Sequence, residues 1–266
     1  MSASVDTIAM TMRRRWDADE TDMTTTAQLQ LFEARDFNAP WNVRISRRAR
    51  RLSVRVYPGG RVEVVVPPGA SPTAVQRFVG NHREWIDQRV ADLSAGRIND
   101  ARPEVIDLPA IGRRFVVEYR PTRAARITVR IAGEGWLSVS GQLDDDRKVA
   151  AALRSWLAGL AQEELRQALT KVAQASGFQF SRVQIRQQRT RWGSCSATGT
   201  ISLNLCLLFQ SAAVLRYLLI HELCHTRHMN HSRRFWVLVE SHEPDYRRLD
   251  RELLRGWQVV PGWMFA

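Results

Sequence analysis

Apolar and polar positions set out most of the chain before any single residue is considered. Residues 1 to about 40 show no sustained period and are rich in Thr, Asp, Arg and Met, which predicts a poorly ordered leader. From Asn42 the pattern changes. Leu52, Val54 and Val56 alternate with polar residues, Pro58-Gly59-Gly60 turns the chain, and Val62, Val64 and Val66 alternate again, which predicts a β-hairpin. Ser71 and Pro72 supply an N-cap and a first-turn proline for one helix through Val90, with Val75, Phe78, Val79, Trp85, Ile86 and Val90 as its broad apolar face. His82 on that helix reads as a core or flank residue. Arg97 to Pro103 reads as a linker. Strands are expected at Arg114 to Tyr119, Ile127 to Ile131 and Trp136 to Ser140, the last two joined across Gly133-Glu134-Gly135. Asp144 to Asp146 then open a long helix that runs to about Ala175 and ends at Gly177. Two or three strands follow between Val183 and Asn204. The run from Ser211 to His225 is helical in period, with Val214, Leu215, Leu218, Leu219 and Leu223 as a buried stripe and Ser211 as N-cap. Two shorter helices close the chain, one capped by Ser232 and one beginning at Pro244. No internal repeat is found.

Composition narrows the class. The 266 residues are 44% hydrophobic and 25% charged, as in ordinary globular proteins. The first forty residues lack the apolar core of a signal peptide, and no apolar run approaches a membrane span. The three cysteines, odd in number and irregularly spaced, fit a reducing compartment, so a cytoplasmic location is expected. Net charge is +12, and Lys148 and Lys171 are the only lysines. Arg44, Arg47, Arg48, Arg50, Arg51, Arg55 and Arg61 crowd one short region. Solvated strand faces and a turn are the favoured reading of that cluster, with nucleic-acid binding as the lesser expectation.

The chemistry is concentrated in His221-Glu222-Leu223-Cys224-His225. Four of the six histidines fall between His221 and His231. On a helix, His221 and His225 share a face one turn apart and can converge on one cation. Zinc takes neutral imidazole nitrogens and in catalytic sites keeps one position open for water, whose proton Glu222 is placed to take. A third ligand must come from His228, His231, Glu240 or Glu243. On an unbroken helix His228 would lie about 10.5 Å along the axis from His221, too far to share one ion. His231 is preferred, provided the helix ends near Met229 and the chain reverses at Asn230. Glu240 is held in reserve. Cys195, Cys206 and Cys224 read as structural thiols. Tyr246 reads as core, with a lesser possibility of supporting an oxyanion.

Arg189 to Ser196 (RTRWGSCS), Ile201 to Asn204 (ISLN), the HELCH run and Asn230 to Trp236 (NHSRRFW), in that order and spacing, resemble the YgjP-like metallopeptidase family, which is related to the SprT-like zincins. The resemblance is strongest from about Val183 to Leu253. It implies His221, His225 and His231 as metal ligands and Glu222 as catalytic acid/base. Members are named peptidases by their motif, and a nucleoside triphosphate pyrophosphatase activity on UTP is also attached to the family.

The expected protein is therefore α+β. A leader (1–41) and a β-rich region with one helix (42–143) precede a zincin-like domain (144–266) with a long helix, a small antiparallel sheet and an HExxH active-site helix. One zinc per chain is expected, acting on a peptide or protein, or alternatively on a nucleoside triphosphate, with no membrane partner. By analogy with other zincins, Thr200 to Asn204 is expected to be the sheet edge to which an extended peptide adds. A metal-stabilised nucleic-acid-binding module is the non-enzymatic alternative; structural zinc sites normally close all four positions, which a helical His pair with an adjoining Glu fits poorly.

Overall fold

The computed structural model describes residues 9–11, 41–57, 60–94 and 102–265. The leader therefore lies outside the described residues, apart from strand β1 (Ala9–Thr11) and Trp41, and so does most of the expected linker. The chain divides into two compact units, Ile8–Ala95 and the unit that holds Gly96–Ala266.

In the first unit the expected hairpin is present as β3 (Ser53–Val56) and β4 (Val62–Val66), paired antiparallel with Val54 opposite Val64. Their alternation puts Val54, Val56, Val62, Val64 and Val66 in the core. β1 pairs antiparallel with β3, and β2 (Trp41–Ile45) pairs parallel with β4 on the other side. Ser71 caps helix α1 (Pro72–Asn81), its hydroxyl accepting from the Ala74 amide at 3.3 Å. The single helix expected to run on to Val90 is instead two. His82 leaves the helical region at φ −117° and its Nδ1 bonds the Phe78 carbonyl at 2.6 Å, after which α2 (Arg83–Ser94) begins. Gly80 and Asn81, both poor helix formers, precede that break.

The second unit opens with a four-stranded sheet in the order β5-β6-β8-β7: β5 (Val105–Leu108), β6 (Arg113–Pro121), β7 (Thr128–Gly133) and β8 (Trp136–Gly141). Three of these strands match the expectation; β5, four residues long, was not foreseen. The division between the two compact units falls near residue 95, and packing explains why this sheet belongs to the second. Ile106, Leu108, Phe115, Leu137 and Val139 are buried, and Phe115 meets Trp156 of the long helix edge-on at 5.3 Å. This sheet thus shares a core with the elements that follow it. That helix, α3 (Asp146–Ser176), has Asp145 as N-cap and ends at Gly177 in the left-handed conformation, φ 66°. Leu153, Leu157, Leu165 and Leu169 form its buried stripe.

A three-stranded sheet follows: β9 (Arg182–Arg186), β10 (Gly193–Cys195) and β11 (Thr200–Asn204), in the order β10-β11-β9. It is mixed where an antiparallel sheet was expected, because β11 runs antiparallel to β10 but parallel to β9. β11 is also central, so Thr200 to Asn204 is not the edge. Among the described residues the edge strands are β10, antiparallel to β11, and β9, parallel to it. A buried 3-10 turn at Leu205–Phe209 leads to α4 (Ala212–Cys224), α5 (Arg233–His242) and α6 (Tyr246–Arg255). The architecture is mixed α+β, with six α-helices and small mixed sheets among the described residues. No described helix is long and apolar enough to cross a membrane.

Candidate metal centre

Helix α4 carries His221 and Glu222 in its last turn because its sequence is helical and apolar almost all round. Ser211 caps its start, accepting from the Val214 amide at 3.3 Å, and ten of its thirteen residues are buried. The α-helix ends at Cys224 with His225 as C-cap, five residues before the expected end near Met229. The turn tightens there: the amides of Arg227 and His228 both bond the Cys224 carbonyl, and the Thr226 hydroxyl bonds the Leu223 carbonyl at 2.7 Å. The chain then reverses so that His231 returns to the end of α4. Ser232 occupies the N-cap position of α5 as expected, although its hydroxyl makes no capping bond.

This fold brings ring nitrogens of His221, His225 and His231 within 4.8 Å of one another. His221 Nε2 and His231 Nε2 are 3.2 Å apart. Two imidazole nitrogens around one tetrahedral zinc, each at about 2.0–2.1 Å, would lie about 3.3 Å apart, so the spacing fits a shared cation. Tautomers fit as well. His225 Nδ1 faces the His228 carbonyl at 3.0 Å, and since a carbonyl only accepts, that nitrogen carries the proton and Nε2 keeps its lone pair. His228 thus contributes a backbone oxygen that orients a neighbouring ring. His221 is wholly buried, and burial first, then the nearby His225 and His231, holds its pKa well below the ordinary 6.5. It is a neutral ring at physiological pH, the form a metal requires.

The other candidate ligands are elsewhere. Glu240 is exposed and paired with Arg247 at 3.1 Å, and Glu243 is paired with Arg216 at 2.6 Å. Glu222 is only 1% exposed and lies against the backbone of Gly193 in β10: a Cβ at that position would sit 2.9 Å from both Cγ and Cδ of Glu222. Glycine at 193 is therefore what lets the strand approach the carboxylate. Trp192, beside it, is buried and stacked on Trp257 with centroids 4.1 Å apart. Cys195, half-buried, has its thiol pKa pushed up to about 11 by burial and by Glu222, so it is no thiolate at neutral pH.

Three contributors were not legible beforehand. Phe235 of α5 touches all three imidazoles, with centroids 5.0, 4.5 and 4.8 Å from His221, His225 and His231. It is an apolar floor that excludes water from one side of the cluster. Its place four residues after His231 was the available signal. Trp236 continues the wall, 5.6 Å from His231, and stacks on Tyr246 at 5.3 Å; Tyr246 is thus packing in the wall, 7% exposed. Behind His221, the Tyr217 hydroxyl donates to buried Asp250 at 2.8 Å, and the Tyr217 ring meets His221 edge-on at 6.0 Å.

Comparison with known proteins finds a matching family model and a similar solved structure. The family model described as "YgjP-like, metallopeptidase domain" matches residues 50–255. Among solved structures the chain is similar to the metallopeptidase zymogen of Pyrococcus abyssi abylysin, with 28% identity over 32% of this chain and 87% of that one, at a TM-score of 0.30. No curated protein sequence matches.

Proposed function

The chain belongs to the YgjP-like metallopeptidase family, a family of metal-dependent hydrolases, and from that premise we propose that it is a zinc peptidase whose His221, His225 and His231 hold one ion and whose Glu222 is the general acid/base. The observation that carries the reading is the 3.2 Å approach of two Nε2 atoms, with the third imidazole in range and a buried carboxylate on the adjoining residue. An all-imidazole donor set favours zinc over magnesium or calcium, which prefer oxygen. When bound, zinc supplies a Lewis acid and lowers the pKa of a water toward about 7.

The chain's own residues do the rest. Glu222 accepts the water's proton and returns it to the leaving amine. The His228 carbonyl fixes the direction of His225, and Phe235 keeps the far side of the cluster dry. β10 supports a peptide as substrate. Its register with β11 makes Ser194 and Ser202 the bonded pair, flanked by Ser196 N–H to Thr200 O and Asn204 N–H to Trp192 O. The backbone groups of Gly193 and Cys195 therefore point away from β11, toward the open edge, where an extended peptide can add as a further strand beside Glu222. Three free cysteines suit a reducing compartment, consistent with a cytoplasmic enzyme.

The test is turnover by zinc-loaded protein on a mixed peptide library and, separately, on the nucleoside triphosphates. We expect peptide cleavage that chelation abolishes and zinc restores, and that Glu222→Gln loses while retaining the metal. Release of pyrophosphate from UTP with no peptide cleaved would replace the peptidase reading with the pyrophosphatase one.

A further inference from the structure

We propose that the N-terminal unit binds the phosphate backbone of nucleic acid through a basic pocket on the sheet face opposite its buried valines. Strand alternation builds that face. Val54, Val56, Val62 and Val64 point into the core, so Ser53 and Arg55 of β3 and Glu63 and Val65 of β4 point the other way. β2 runs parallel to β4 with Arg44 opposite Val65, which places Arg44 on the same face. The connection from β2 to β3 then folds over the rim, its Ser46 amide bonding the Val66 carbonyl and its Ala49 amide the Ser46 carbonyl, both at 2.9 Å.

The result is a pocket of about 330 Å³ lined by five arginines, Arg44, Arg48, Arg50, Arg51 and Arg55, with Ser46 and Ser53 contributing hydroxyls and Val65 the floor. Among the described residues, one carboxylate on this face offsets them. Glu63 pairs with Arg44 at 3.3 Å and accepts from Tyr57 at 2.8 Å. Arg48, Arg50 and Arg51 are exposed and make no ion pair among the described residues. Like charges gathered this closely repel one another, and a bound polyanion turns that repulsion into attraction.

The lining identifies the anion. Guanidinium forks match phosphate oxygens in bidentate geometry, and serine hydroxyls are common neutral donors to phosphate. Among the described residues, no aromatic side chain lines the pocket to stack a base, and no carboxylate lines it to read a ribose hydroxyl. Recognition is therefore of phosphates, independent of sequence. The row of exposed rim arginines extends the positive surface beyond one phosphate, which suits a chain of them over a single free nucleotide.

The experiment is fluorescence anisotropy of the full-length protein with labelled 20-mer duplexes of two unrelated sequences, over a salt series. Four arginines not offset by Glu63 predict a slope of log K on log salt of about −4, equal for both sequences. The variant Arg48→Ala/Arg50→Ala/Arg51→Ala removes three contacts and should bring the slope to about −1 with its melting temperature unchanged, since all three side chains are exposed. The charge-reversed R48E/R50E/R51E protein should bind at least about 10-fold more weakly still than the alanine variant. Binding should survive chelation, which separates it from the metal centre. A wild-type slope no steeper than −1, a slope unaltered by the alanine variant, or loss of binding on chelation would each overturn the proposal. Tripolyphosphate displacing the duplex at an equal molar concentration would also overturn it, in favour of a free polyphosphate ligand.

Discussion

Gly193→Ala isolates the contact between β10 and the proposed catalytic carboxylate. Gly193 is not among the glycines with positive φ, so alanine fits the backbone without strain and the added methyl is the whole perturbation. That methyl would meet Glu222 Cγ and Cδ at 2.9 Å, where ordinary contact begins near 3.4 Å, and would come closer still to Oε1. Glu222 is 1% exposed, so the carboxylate must retreat within a filled site, by about 0.5–1 Å. A displacement of about 1 Å at a reacting group costs on the order of 100-fold in rate, or about 2.7 kcal/mol in the barrier. The three atoms nearest the added methyl all belong to Glu222, not to an imidazole. Zinc stoichiometry should therefore stay at one per chain, while kcat on a cleaved peptide falls about 100-fold and overpacking lowers stability by about 1–3 kcal/mol. The assay pairs metal analysis with steady-state kinetics on the same preparation. Wild-type kcat in the alanine variant would show that Glu222 is not held by β10 or does not transfer the proton.

Other substitutions sort the neighbours of the site. His231→Ala should cost at least about 10-fold in zinc affinity, while His228→Ala and Glu240→Ala should leave it unchanged, because one contributes only its carbonyl and the other is paired with Arg247 at the surface; competition with a chromogenic chelator measures all three. Phe235→Ala empties the fully buried floor beneath the imidazoles and should destabilise by about 3–5 kcal/mol, read from denaturant unfolding of the zinc-free protein. Tyr217→Phe takes the hydroxyl from buried Asp250 and should cost about 1–3 kcal/mol in the same assay. Asp250 also sets a pH dependence. Burial raises its pKa above 3.8, against the hydrogen bond from Tyr217 and the charge of Arg251. A raised carboxyl pKa favours the fold only while the group is protonated, so that contribution is lost as pH rises through the folded value. Relative to Asp250→Asn, the wild type should lose melting temperature as pH rises from about 3.5 toward 7; a constant difference would contradict the assignment.

Much of this was legible because it is local. The Ser211 cap and the apolar run after it define α4, the Asp145 and Gly177 caps define α3, and the four-residue spacing of His221 and His225 sets their common face. His231 can reach the site only if the helix stops; it stops five residues earlier than expected, where the Thr226 and Arg227 amides turn to the Leu223 and Cys224 carbonyls three residues back. What was not legible depends on pairing between distant segments. The order β10-β11-β9 makes β11 central, and no pattern within Thr200–Asn204 distinguishes a central strand from an edge. β5 is too short for its alternation to stand out, and the break at His82 rests on a side chain that bonds its own helix's carbonyl. Gly193 against Glu222 joins residues far apart in sequence, and a glycine in a strand does not say what it makes room for.

The central claim is that three imidazoles and no sulfur hold the ion, and zinc-edge X-ray absorption on the loaded protein tests it most directly. The account predicts three imidazole nitrogens and one further light-atom ligand at about 2.0–2.1 Å. A sulfur scatterer at about 2.3 Å, which would bring a cysteine such as Cys195 into the coordination shell, or a fit with fewer than three imidazoles, would contradict it.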